Sequence, residues 1–264
     1  MSAPRVVATD LDGTIVRSDG TISARTRDAL TAAEVAGAMV VIVTGRPPRW
    51  LHGIADETGH RGLAICANGA LVYDLHTEQD VESHPLEVAD ARRLVDDLRK
   101  AIPGMAFGVE SVDVGFAHEP DYRPRWTTDP ETLVADIEVL LSAPVAKVLG
   151  RHEQMGSDEL LARARAVVGD QLATLTHSSA DGLLEISAAG ISKASTLDAV
   201  CAERGLRAVD AVAFGDMPND LPMLAWAGHS VAVANAHPEV LAAADEVTAS
   251  NDDDGVAQVL ERWF

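Results

Sequence analysis

Positive charge is scarce in this sequence. Its 264 residues carry 21 lysines and arginines against 41 aspartates and glutamates, a formal net charge of −20 with histidine neutral. Such a balance argues against a sequence-independent nucleic-acid binder and against a protein that docks on anionic membranes. Cysteine is nearly absent too. Cys66 and Cys201 lie far apart in apolar surroundings, which excludes a disulfide framework and predicts buried free thiols in a reducing compartment. The nine histidines show no paired ligand spacing of the kind zinc requires. Long hydrophobic runs are missing: the first apolar stretch stops at Asp10, so no signal peptide is expected, and no later run reaches the length of a membrane span. These absences predict a soluble, cytoplasmic protein. Internal repeats and low-complexity linkers are also lacking.

What is present is an alternation of short apolar runs with helical segments. The hydrophobic fraction of 47% supports a packed core, and the length allows one large domain or a core with a smaller lobe. Val6-Val7-Ala8 reads as a buried strand and is followed by a helix from an N-cap at Ser23 to a stop at Gly37. Met39–Val43 is a second buried strand, and the βαβ unit so formed favours a parallel sheet. A short helix near Pro47, a strand at Leu63–Cys66, a turn at Asn68-Gly69 and Leu71-Val72-Tyr73 continue the series. From about Glu82 to Ile186 the pattern changes to a helix (Val88–Lys100), strand-like stretches (Met105–Val109, Val145–Leu149, Leu172–Thr176, Leu183–Ile186) and a helix near Asp158–Val168. The α/β rhythm then resumes with a helix at Ser192–Arg204, a strand at Ala211–Phe214, a helix after Pro218 and a strand at Ser230–Val233. A last helix, Gly255–Trp263, follows Asp252-Asp253-Asp254, whose charges suit a helix N-terminus. The fold class predicted is α/β, a Rossmann-like parallel-sheet core with an inserted α+β lobe. The core is discontinuous, residues 1–82 and 188–264, and the insert covers 83–187.

Four segments of this core carry chemistry. Asp10-Leu11-Asp12-Gly13-Thr14 places two carboxylates where the first strand ends, the edge at which open α/β sheets bind ligands. In extended geometry both point the same way, and like charges held that close imply a metal, a shared proton, or both. The competing reading is an Asx-type turn with Thr14 as a cap. Thr44-Gly45-Arg46 ends the second strand ahead of a helix opened by Pro47, which makes a phosphate cradle or an ordinary helix cap. Lys193 opens a helix, where the dipole disfavours a cation unless an anion lies near; a solvated lysine is the plainer reading. Gly215-Asp216-Met217-Pro218-Asn219-Asp220 again delivers two carboxylates directly after a buried strand, in a composition equally typical of turns.

Taken in order, these segments closely resemble the four motifs of the haloacid dehalogenase superfamily of phosphatases. The Asn68-Gly69-Ala70 turn, the Gly-Asp-x-x-Asn-Asp form of the last motif, the long insert between Thr44 and Lys193, and Ser250-Asn251-Asp252-Asp253-Asp254-Gly255-Val256-Ala257 resemble its Cof-type branch, subfamily IIB. The resemblance implies that Asp10 attacks phosphorus and forms an aspartyl phosphate, splitting one difficult displacement into two. Asp12 would protonate the leaving alcohol and deprotonate the attacking water. Mg²⁺ would be bound by the Asp10 carboxylate, the Asp12 backbone carbonyl and the Asp216 carboxylate, with Asp220 supporting them from outside. Thr44, the backbone of Leu11 and Gly45, Lys193 and Asn219 would hold the non-bridging phosphate oxygens.

The resemblance further implies that the insert is a C2-type cap that closes over the core and selects the leaving group. Arg123, Arg125, Trp126, Lys147 and His152 are its candidate contacts, with Arg46 and Asn68 as candidates in the core. Attraction of an anionic substrate has to be local, since screening over about 8 Å lets Mg²⁺, Lys193 and Arg46 outweigh distant acids. The expected partner is a small phosphorylated metabolite, a sugar phosphate or a phosphorylated cofactor, with no nucleic acid or membrane, handled by a monomer or homodimer. A phosphoryl transferase or mutase would use the same motifs. A dehalogenase would not call for Asp12, Asp216 and Asp220 together, and a receiver-type signalling module would be shorter and capless. A non-catalytic sugar-phosphate sensor would be expected to lack Asp10 or Asp12.

Overall fold

The computed structural model describes residues 3–111, 115–169 and 171–264, with Asp56 and Thr58 described by their backbone alone. The first segment runs β1 (Val6–Thr9), α1 (Ala24–Val35), β2 (Met39–Val43), α2 (His52–Thr58), β3 (Leu63–Cys66), β4 (Leu71–Asp74) and β5 (Gln79–Ser83). The middle contributes α3 (Val88–Ala101), β6 (Ala106–Ser111), β7 (Gly115–His118), β8 (Leu133–Val134), α4 (Ile137–Leu140), β9 (Lys147–Arg151), α5 (Ser157–Val167), β10 (Ala173–Thr176) and β11 (Leu183–Ala188). The last segment holds α6 (Lys193–Glu203), β12 (Ala211–Gly215), α7 (Leu221–Trp226), β13 (His229–Ala232), α8 (Pro238–Ala243), β14 (Glu246–Val247) and α9 (Gly255–Leu260). Two compact units result, Met1–Glu82 with Ser192–Phe264, and Ser83–Ile191.

In the first unit the strands line up as β14-β13-β12-β1-β2-β3-β4-β5. From β14 to β3 every pairing is parallel, and β4 turns back antiparallel on β3. β1 is central because all four of its residues are buried, as a strand covered on both faces requires. β2 pairs with it on one side and β12 on the other, Val6 opposite both Met39 and Ala211. The chain order of these neighbours reverses at β1, which is where α/β sheets open a crevice at the strand ends. α1 starts behind Ser23, whose side chain accepts the amide of Thr26, and ends before Gly37 at φ +91°. Cys66 and Cys201 are both buried, and burial together with Asp198 pushes the Cys201 thiol up to about 11. Among the described residues no helix is long and apolar enough to cross a membrane.

The second unit is a sheet of order β10-β11-β9-β6-β7-β8, antiparallel except for the β7/β8 pair. Alternation decides its faces. Phe107, Val109, Val148, Leu184 and Ile186 join Leu94, Leu98, Leu160 and Leu161 of α3 and α5 in one apolar core. Ala106, Phe116, Leu149 and Leu183 form a smaller cluster with Tyr122 and Trp126.

One expectation needs correction. The last helix ends at Leu260 rather than Trp263, and its N-cap Asp254 is left-handed at φ +61° with no side-chain cap bond. The Asp253 carboxylate accepts from Ser250, and those of Asp252 and Asp254 go to the first segment. Asp254 pairs with Arg17 at 2.6 Å, and Asp252 accepts from the amide and hydroxyl of Ser18.

Candidate active site

The site is built where β1, β2 and β12 end together. Strand β1 stops at Thr9, yet the amide of Asp10 still donates to the carbonyl of Phe214 at 3.0 Å, so Asp10 is fixed in the ladder and is 6% exposed. Beyond it the chain turns sharply. The carbonyl of Leu11 accepts the amides of Thr14, Ile15 and Val16, and Gly13 adopts φ +76°. A Cβ at Gly13 would lie 2.3 Å from Asp216 Oδ2, so this position needs glycine both for its backbone and for its closeness to the opposite carboxylate.

This turn sets Asp10 and Asp12 in different surroundings. Extended geometry ends at Thr9, and the Asp12 carboxylate, half-exposed, is held by Arg46 through Nε at 2.8 Å and Nη2 at 2.5 Å. Asp10 instead meets the two acids that follow β12. One ligand oxygen from each of Asp10, Asp216 and Asp220 lies within 4.8 Å of the others, and all three residues are buried.

Lys193 closes this cluster. It is the first residue of α6, behind a Ser192/Ser195 capping box, and its fully buried ammonium donates at 2.6 Å to both Asp10 Oδ1 and Asp220 Oδ1. The anion that the helix dipole calls for is therefore supplied twice. Thr196 one turn on donates to the carbonyl of Gly69, which pins α6 against the turn after β3. Asp220 spends its other oxygen on the amides of Asp216 and Met217, both at 3.0 Å, and so braces the loop that carries Asp216. Thr14 Oγ1 donates to Asp216 Oδ1 at 3.1 Å.

Three carboxylates thus share one ammonium, and the protonation equilibria register the imbalance. Burial lifts Asp10 well above the ordinary carboxylate range; Lys193 opposes the shift, and Asp220, Asp216 and Asp12 reinforce it. Burial and then Asp220 push Asp216 up to about 7. Burial works against the Lys193 charge, but Asp10 and Asp220 more than offset it and hold the ammonium above its usual range. The cluster is short of positive charge.

Thr44 stands at the end of β2, fully buried, with its amide on the carbonyl of Ile65 and its hydroxyl accepting the amide of Arg46 at 3.0 Å. Asn68, left-handed at φ +59°, donates its amide to the carbonyl of Thr44 at 3.1 Å. Its side-chain carbonyl accepts Nδ2 of Asn219 at 3.0 Å. Asn219, expected to donate to a phosphate, gives one N–H of that amide to Asn68 and keeps the second. Asn68 Nδ2 is a buried donor with no partner among the described residues. Hydrogen-bonded contacts therefore run from Thr44 through Asn68 to Asn219, whose neighbour Asp220 continues the chain through Lys193 to Asp10.

A family model for haloacid dehalogenase-like hydrolases matches residues 7–260, every part of this constellation included. The chain belongs to that family. Among its relatives, the pyridoxal phosphate phosphatase YbhA of Escherichia coli is 30% identical over 97% of both chains. The 5-amino-6-(5-phospho-D-ribitylamino)uracil phosphatase YcsE of Bacillus subtilis is 29% identical over 98% of this chain and 95% of its own. The fold also matches the solved structure of BT4131, a sugar phosphatase of haloacid dehalogenase subclass IIB, with a TM-score of 0.82, 20% identity and 98% coverage of both chains. The protein is accordingly an enzyme of the phosphatase type.

The middle unit of this haloacid dehalogenase-like hydrolase holds the remaining candidates. Lys147 and Glu185 form a buried ion pair at 2.5 Å within the sheet. Trp126 packs on Phe116 with ring centroids 5.1 Å apart. Arg125 reaches Glu153 at 3.4 Å on the surface, and Arg123 is exposed. His152 bonds to backbone on both ring nitrogens: its Nε2 meets the carbonyl of Pro103 and its Nδ1 accepts the amide of Gln154. Sequence reasoning passed over Thr14 as a partner of Asp216 and gave no role to Asn235 or Asn251, which bond to the Gly13 and Val16 carbonyls. Their partners lie more than 200 residues away, beyond the reach of any local pattern.

Proposed function

We propose that the protein hydrolyses phosphate monoesters of small metabolites, with Asp10 as nucleophile and Asp12 as the group that gives and takes the proton. The observation that carries this reading is the buried Asp10–Lys193–Asp220 arrangement beside Asp216, in which a carboxylate is fixed at a strand end between an ammonium and a polar cradle. In the first step an oxygen of Asp10 bonds to phosphorus while the ester P–O bond breaks, and the departing alkoxide takes a proton from Asp12. In the second, water attacks the phosphorus of the aspartyl phosphate and gives its proton to Asp12. The bond to Asp10 breaks and inorganic phosphate leaves. Arg46 sets the plane of the Asp12 carboxylate, and one of its two hydrogen bonds gives way when Asp12 carries the proton.

A divalent cation fits the residues present. The donor set is all oxygen, three carboxylates face one ammonium, and the elevated Asp10 and Asp216 mark the missing charge. Both oxygens of Asp220 are already engaged, so Mg²⁺ would fall to the carboxylates of Asp10 and Asp216 and the carbonyl of Asp12. When bound it supplies neutralisation of the phosphoryl oxygens as charge spreads over them. Lys193, Thr44 and the Asn68 amide supply the donors of this chain for the same oxygens.

Relatives that act on pyridoxal phosphate and on a ribitylaminouracil phosphate, and a sugar phosphatase of the same fold, support a small phosphorylated metabolite as substrate. The test is phosphate release from a panel of such compounds, with Mg²⁺ and with chelator, by the wild type and Asp10→Asn. Release that needs both Mg²⁺ and Asp10 is the expected result. Transfer of the phosphoryl group to a second sugar in place of release would turn the assignment to a transferase, and no turnover of any compound would overturn it.

A further inference from the structure

Two asparagines outside the four motifs grip the backbone that carries the carboxylates. Asn235, in the loop after β13, donates its Nδ2 to the carbonyl of Gly13 at 2.8 Å. Two residues on, the amide of His237 donates to the carbonyl of Asp216 at 2.7 Å. One loop therefore holds the chain on both sides of the cluster, at the residue after Asp12 and at Asp216 itself. A second layer holds that loop in turn. The amide of Asn251 donates to Asn235 Oδ1 at 2.9 Å, and the amide of Ala234 to the carbonyl of Ala249 at 3.3 Å. The buried side chain of Asn251 donates to the carbonyl of Val16 at 2.9 Å, so the turn before α9 ties the far end of the same catalytic loop.

What these bonds hold is a contact with no slack. Gly13 is so close to Asp216 that an added Cβ would lie 2.3 Å from Oδ2, and Thr14 donates to Oδ1 of the same carboxylate. Moving residues 13–14 moves or clashes with Asp216. Asn235 is exposed, where a neutral hydrogen bond adds little to stability; its leverage is over position.

We propose that Asn235 and Asn251 are positioning residues of the reaction, which keep the Asp12–Thr14 backbone in register with the Asp216 carboxylate. The proposal rests on the phosphatase reading of the cluster. It is tested on the full chain with Asn235→Ala, Asn251→Ala and Asn235→Asp, the last of which keeps an acceptor for Asn251 but cannot donate to Gly13. Asn235→Ala and Asn235→Asp are expected to lower kcat at least tenfold with KM changed less than about twofold, because small misplacements of reacting groups are costly in rate. Asp252→Ala, which cuts only the outer tie to Ser18, is expected to keep its kcat. A readout independent of turnover is the rise in Tm on adding MgCl2, which should be smaller in Asn235→Ala than in the wild type. Wild-type kcat and an undiminished MgCl2 shift in both alanine variants, with only a lowered Tm, would make the tether structural and overturn the proposal. A wild type without turnover would defeat the phosphatase reading by itself, and the MgCl2 shift would then still decide on the tether; if the wild type lacks that shift as well, both fail.

Discussion

Replacing Lys193 with Met keeps much of the side chain's bulk and removes its charge, which isolates the electrostatic part of the site. The ammonium is fully buried and bonded to two buried carboxylates at 2.6 Å. Removing one partner of a buried ion pair costs about 3–5 kcal/mol, and here two acids are left uncompensated, with Asp216 beside them. In a domain of this size each kcal/mol lowers Tm by about 2–4 °C, so Lys193→Met should melt roughly 6–20 °C below the wild type in chelator at pH 8. The loss has a pH signature. A carboxylate whose folded pKa is raised keeps a proton that the unfolded chain has released, so its penalty is greatest above the folded pKa and fades as pH falls through it. Lys193→Met raises Asp10 and Asp216 further, so the gap to the wild type should narrow at pH 5. Melting curves in chelator at the two pH values test this directly. Equal Tm values at pH 8, or a deficit of the same size at both pH values, would refute the argument that Lys193 balances the charge of the cluster.

The metal-free wild type should show the same sign. With Asp216 at about 7 against an ordinary 3.8, its stability in chelator should fall by a few kcal/mol between about pH 4 and 7 and then level off; denaturant titrations across that range check it, and rising stability would contradict it. Gly13→Ala places a Cβ against Asp216 and an alanine at φ +76°, so kcat should drop by about a hundredfold or more, and retention of wild-type kcat would be inconsistent with the contact. Arg46→Ala frees the half-exposed Asp12 carboxylate. It should cost at most about 1 kcal/mol in stability yet slow alkyl phosphates more than nitrophenyl phosphate, whose leaving group needs no proton; equal losses would detach Arg46 from proton transfer.

The parts of this molecule legible from sequence are those whose signal is local. β1, β2 and β12 are uninterrupted apolar runs, and Ser23 and Ser192 announce the helices behind them. β5 escapes detection because all five of its residues are exposed, its one apolar residue Val81 included, so no apolar face betrays it. The short β7, β8, α4, α8 and β14 are decided by pairing and packing with distant elements rather than by their own propensity. In the site, spacing singled out Asp10, Asp216 and Asp220, which the structure brings together, but not the partners that hold them. The Asp12 carboxylate is held by Arg46, a partner that the spacing does not announce, and Asp252 and Asp254 bind Ser18 and Arg17 across more than 230 residues. Lys193 shows the converse case, in which an electrostatically awkward position in the sequence is resolved by two acids brought in from distant segments.

The central claim is that Asp10 is the group phosphorylated during turnover. It is tested most directly by incubating the enzyme with Mg²⁺ and a turned-over metabolite phosphate, quenching in acid, and measuring the mass of the peptide that contains Asp10. The account predicts a peptide heavier by one phosphoryl group, with the modification on Asp10 and absent from Asp10→Asn. Turnover at a normal rate by Asp10→Asn, or a phosphoryl group mapped to any other residue, would contradict it.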